Sequence, residues 1–124
     1  MDKMIFCLLA LSSLPVLAEM KVNTNFLGSS GDIVFLDGKA QRISLNPTKC
    51  PNRGWRCWWY VRVTGIRAGE VLGLEVGDAP WATPNHASFS MDRGETWQQT
   101  SRGKRCKNRM EYHFKVDSDS VLVA

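Results

Sequence analysis

Histidine is nearly absent from this sequence: His86 and His113 are the only two among 124 residues. Neither stands beside a glutamate at a metal-ligand spacing, and both read as surface residues, so a histidine-built metal centre or general base is not expected. Four cysteines occur without a single Cys-x-x-Cys pair, which removes the spacing of a zinc ribbon. No Gly-x-Ser-x-Gly elbow presents a serine nucleophile. Gly28-Ser29-Ser30-Gly31 reads as a flexible loop whose spacing is wrong for cradling a phosphate. The carboxylates pair no better, since Asp117 and Asp119 sit near the last turn and Asp92 reads as part of a hairpin. No catalytic residue and no metal ligand is therefore assigned. Helical periodicity is missing too, because no segment of residues 19–124 keeps an apolar repeat over three turns. Internal repeats, low-complexity tracts and linkers are likewise lacking.

Charge is close to balanced. Sixteen Lys and Arg against twelve Asp and Glu give a net +4, too little to imply a nucleic-acid partner. The basic run Arg102, Lys104, Arg105, Lys107 and Arg109 lies among Gly103 and Asn108. It reads as an exposed, solvated hairpin loop.

The one long apolar run is at the start. Lys3 gives a basic beginning, residues 5–14 are apolar but for Ser12 and Ser13, and Val16-Leu17-Ala18 offers the small residues of a signal-peptidase site. The run is too short to span a bilayer. No cysteine follows it to take a lipid anchor. Residues 1–18 are thus expected to be a signal peptide, and residues 19–124 a single domain that is periplasmic or secreted, with no membrane association after cleavage. Removal takes one lysine and one aspartate, so the charge is unchanged, and it leaves Cys50, Cys57 and Cys106. An oxidising compartment favours a disulfide. Three is odd, and spacing alone does not choose between Cys50–Cys57 and Cys57–Cys106.

What the mature region does contain is alternation. Residues 56–64 place Cys57, Trp59, Val61 and Val63 on one face and Trp58, Tyr60, Arg62 and Thr64 on the other. The mixed second face predicts a central strand that is partly covered outside. Leu72, Leu74 and Val76 alternate, as do Ala87, Phe89 and Met91, and so do Met110, Tyr112, Phe114 and Val116. Asp37-Gly38 marks a turn after the apolar run 31–36, and Gly65 and Gly69 bracket another. About eight or nine short strands with frequent turns predict an all-β fold, an antiparallel, jelly-roll-like β-sandwich.

Ser90-x-Asp92-x-Gly94-x-Thr96-Trp97 matches an Asp-box. Asp92 is suited to accept turn amides, Gly94 to supply positive φ, and Trp97 to pack beneath the turn. One copy in so short a chain reads as a structural hairpin, not a propeller blade. Five tryptophans are many for this length. Core and turn packing is the expectation for most of them. Trp55 and Trp81 fall in loops, so they are the candidates if a binding face exists.

The order of these motifs resembles the small β-domain that precedes the catalytic domain in bacterial M14-type zinc carboxypeptidases of the cytosolic-carboxypeptidase-like group. Trp59-Tyr60-Val61-Arg62-Val63-Thr64-Gly65 stands where the family carries an aromatic strand ending in Phe-x-Val-x-Gly. Ser90, Asp92 and Trp97 stand for its hairpin, and Ser118-Asp119-Ser120-Val121 for its closing run. Gly77-Asp78-Ala79 replaces an Asn-rich turn, and the cysteines are a departure from the family. The resemblance implies a zinc held by His-x-x-Glu and a distant His in the family's catalytic domain. None of those residues is in this sequence, so no catalytic role or cofactor transfers. It implies a non-catalytic accessory domain, partnered by a peptidase catalytic domain or another protein, in a truncated or split gene product or a free-standing sandwich. Docking of that kind would show as an exposed apolar patch around residues 121–123. The alternative is a secreted module that binds glycans or cell wall through Trp55 or Trp81.

Overall fold

The computed structural model describes residues 19–49 and 56–124. The expected signal segment, Cys50 and Trp55 lie outside the described residues. Two five-stranded sheets face each other, as the alternation predicts. The first takes the order β1 (Lys21–Asn23), β6 (Val61–Thr64), β12 (Ser120–Val123), β8 (Ser88–Ser90) and β9 (Gln98–Gln99), all antiparallel. The second runs β10 (Lys104–Cys106), β11 (Arg109–Val116), β7 (Glu70–Gly77), β3 (Arg42–Asn46) and β2 (Asp32–Asp37). Its neighbours are antiparallel except β3 and β7, which run parallel from Arg42↔Gly73 to Leu45↔Val76. A parallel pair needs a crossover, and here the chain crosses by way of the first sheet. A separate ribbon pairs β4 (Thr48–Lys49) with β5 (Arg56–Trp58).

Twelve strands among the described residues exceed the eight or nine that alternation picks out. The surplus comes from two- and three-residue strands too short to show a period. It also comes from residues 56–64, which divide at Trp59. β5 pairs with β4, whereas β6 enters the first sheet, and Tyr60 between them exchanges backbone hydrogen bonds with Ser30.

The core lies between the sheets. Ile43, Leu45, Leu72, Leu74, Val76, Met110, Tyr112, Phe114 and Val116 of the second sheet meet Val61, Val63, Ala87, Phe89, Val121 and Val123 of the first. Two aromatic contacts join the layers: Phe89 to Phe114 at 4.7 Å between ring centroids, and Trp59 to Tyr112 at 6.2 Å. The buried Tyr112 hydroxyl donates to Pro84 O, and burial pushes its pKa up to about 12, with Arg105 opposing. Residues 121–123 are all buried here, so they form no docking patch, which corrects that expectation. The reason is topological: β12 is held between β6 and β8, and Leu122 on its outward side is roofed by the Ser90–Trp97 turn.

One buried polar side chain had no sequence signal. Gln41, at φ 51°, donates from Nε2 to Val71 O at 3.2 Å and accepts from Arg67 N at 2.5 Å. Arg67 in turn donates to Gly38 O and Lys39 O. These bonds tie the β2–β3 turn to the β6–β7 turn. The Asp37-Gly38 turn is thus four residues long and reverses at Gln41, with Asp37 Oδ1 accepting Ala40 N at 3.1 Å.

Candidate functional site

The Ser90–Trp97 turn is built on hydrogen bonds to two short side chains. Asp92 Oδ1 accepts from Ser90 Oγ and from Thr96 N, each at 2.8 Å, and Oδ2 accepts from the Thr96 hydroxyl. Ser90 Oγ also accepts from Gly94 N at 2.8 Å. Arg93 and Gly94 adopt positive φ of 60° and 88°. Trp97 Nε1 donates to Gly94 O at 3.1 Å. The Thr96 hydroxyl, the Thr96 amide and then Ser90 hold the Asp92 carboxyl at about 2, below its usual 3.8. The sign follows directly. As pH falls below 3.8 the unfolded chain takes up this proton first, so the stabilisation by Asp92 is present above that pH and is lost as pH falls through about 2. Asp92→Asn should therefore lower the urea midpoint at pH 7, and the gap to wild type should close by pH 2. An equal gap at both pH values would contradict this.

The turn folds over the outward face of the first sheet. On that face Arg62 of β6, Leu122 of β12 and Ser90 of β8 stand in one register row. Arg62, Ser90, Met91, Arg93, Ser120 and Leu122 line a depression of about 450 Å³. An aromatic strip borders it. Phe26 meets Tyr60 edge-on at 5.1 Å, and Tyr60 meets Trp97 at 6.1 Å between centroids. The Arg62 guanidinium lies over Phe26, 4.6 Å from the ring centroid. Gly94 sits between Leu122 and Trp97, because a Cβ there would come within 3.7 Å of Leu122 Cδ1 and 3.8 Å of Trp97 Cζ2. The second face is thus partly covered outside at Tyr60 and Arg62, in keeping with its mixed character, whereas Trp58 lies on β5 in the separate ribbon and is exposed.

The other sequence candidates scatter. Trp81 occupies a 3-10 turn, Pro80–Ala82, and is 68% exposed. It lies beside β5, and the buried Trp59 indole donates to Ala82 O at 2.9 Å. Among the described tryptophans only Trp59 is buried, while Trp58, Trp81 and Trp97 are exposed, so core packing does not account for the set. Cys106 on β10 is a free, exposed thiol, and of Cys57 only the backbone on β5 is described. The basic run divides by role. Arg102, Lys104 and Lys107 are exposed, whereas Arg105 donates to Thr83, and Arg109 crosses the outer face of the second sheet. There it binds Glu75, Asn46 Oδ1 at 2.9 Å and Ser44 Oγ at 2.8 Å. His86 and His113 are both exposed, His113 on β11 and His86 against Thr100 O. No three His, Cys, Asp or Glu side chains gather among the described residues.

No family model matches the sequence, and no curated protein matches it. Solved structures share the fold. The metallo-carboxypeptidase from Burkholderia cenocepacia aligns with a TM-score of 0.71 and 21% identity, over 84% of this chain and 28% of that one. The metallo-carboxypeptidase from Pseudomonas aeruginosa, in complex with (2-guanidinoethylmercapto)succinic acid, gives 0.71 and 14%, over 83% and 28%. The chain therefore has the fold of one part of these bacterial enzymes and spans about 28% of their length.

Proposed function

We propose that this chain is a non-catalytic accessory module that docks onto the zinc-bearing catalytic domain of an M14-type carboxypeptidase, after export directed by residues 1–18. The supporting observation is the edge strand β2. It pairs only with β3, and Ile33, Val34, Phe35 and Leu36 are all exposed, Val34 at 59% and Phe35 at 56%. Four consecutive exposed apolar residues on an open edge are what a monomeric sandwich avoids, and a partner that covers them removes both the apolar surface and the unpaired backbone. The fold shared with about 28% of each enzyme supplies the class of partner. Peptide hydrolysis and its zinc belong, in this reading, to that partner.

The test uses the mature chain beginning at Glu19 and the Burkholderia cenocepacia enzyme stripped of the matching region. A 1:1 complex by analytical ultracentrifugation, weakened at least about tenfold by Phe35→Lys, is expected; one buried aromatic anchor lost to a charge costs ~2 kcal/mol or more. A complex unaffected by Phe35→Lys, or no complex at millimolar concentration, would overturn the reading.

A further inference from the structure

The outward face of the first sheet combines three features that the docking edge does not use. The first is aromatic area: Tyr60 and Trp97 in contact, with Phe26 edge-on to Tyr60. The second is positive charge without a carboxylate partner. Among the described residues neither Arg62 nor Arg93 makes an ion pair, and Arg62 is held in place by its stack on Phe26. The nearby Asp92 does not cancel them by contact, since both its oxygens are taken by Ser90 and Thr96. The third is the Ser120 hydroxyl in the lining of the same depression, since that of Ser90 is held by Asp92 and Gly94.

A peptide is a poor match for this face. Peptides gain affinity from main-chain hydrogen bonds at an open edge. Here β6, β12 and β8 are each paired on both sides, so their backbone has nothing to offer. Only side chains remain: rings that stack, guanidiniums that fork onto carboxylates, and a hydroxyl. The depression of about 450 Å³ is lined by Arg62 and Arg93 and so suits the acid groups, while the rings of an oligomer reach from it onto the neighbouring aromatic strip. We propose that this face binds an anionic saccharide, a chain of pyranose rings bearing carboxylates, with Trp97 and Tyr60 beneath the rings and Arg62 and Arg93 on the acid groups. The site is on the opposite sheet from β2 and stands whether or not docking occurs there.

Titration of the mature chain with tetragalacturonate, followed by calorimetry, provides the test. The fully methyl-esterified tetramer keeps the rings and removes the charge. Saturable 1:1 binding of the acid form is expected, at least about tenfold tighter than the ester, because each charge-assisted contact is worth ~1.5–3 kcal/mol. Arg62→Gln and Arg93→Gln should each weaken it by about tenfold while leaving the melting temperature close to wild type; Arg93 is an exposed turn residue, so its variant guards against a folding artefact. Trp97→Ala should weaken acid and ester forms alike. Equal binding of acid and ester, no effect of either arginine variant, or no binding at millimolar concentration would overturn the proposal. Tighter binding of a glutamate tetrapeptide than of tetragalacturonate would overturn it in favour of an acidic peptide.

Discussion

Trp59→Ala should destabilise the domain by ~3–5 kcal/mol, while Trp58→Ala, one residue earlier, should cost no more than ~0.5 kcal/mol. The two differ in where the chain leaves the β4–β5 ribbon: Trp58 ends β5, and Trp59 follows at the break before β6 and turns inward. Trp59 is 6% exposed and Trp58 is 52% exposed. Trp59 stacks near Tyr112 across the sandwich, and its indole N–H is the partner of Ala82 O. Truncation leaves a cavity between the sheets and strands a buried carbonyl, and both terms add. Against a total stability of ~5–15 kcal/mol, that loss is a large fraction of the whole. Urea denaturation of both variants at equal m-value is the measurement. Similar midpoints for the pair would mean that Trp59 does not pack between the sheets.

Gly65→Ala should cost at least ~2 kcal/mol, and Gly69→Ala about 1 kcal/mol. Both glycines have positive φ, 71° and 86°, so both substitutions carry the left-handed penalty. Only Gly65 is crowded as well. A Cβ there would lie 2.2 Å from Glu19 O and 2.9 Å from Met20 N, whereas nothing lies within 4 Å at Gly69. Relief would require the backbone leading into β1 to move, and Met20 beside it is buried in the core. Thermal melts of the two variants separate crowding from torsional strain. Equal losses would show that the start of β1 yields freely.

Legibility in the sequence tracked burial on one face. The alternation of Met110, Tyr112, Phe114 and Val116 was readable because β11 has one side in the core and the other in water. The apolar run 31–36 misled in the opposite sense. Hydrophobicity marked it as a strand, but not as an edge strand with both faces largely exposed. Gln41 was silent because its burial depends on Val71 and Arg67, far away in sequence. Among the tryptophans, Trp97 gave no hint of lying on a groove. Its neighbours Tyr60 and Phe26 come from elsewhere in the chain.

The sequence by itself determined the all-β class, the inward parity of the long strands and the turn glycines, because these follow from the period-2 pleat and from local torsional preference. Tertiary structure decided which strands became edges, that residues 121–123 are covered, and that Arg62, Arg93 and the aromatic strip share one face. Those outcomes depend on strand order within each sheet, and strand order is set by packing between distant segments, which no local pattern encodes.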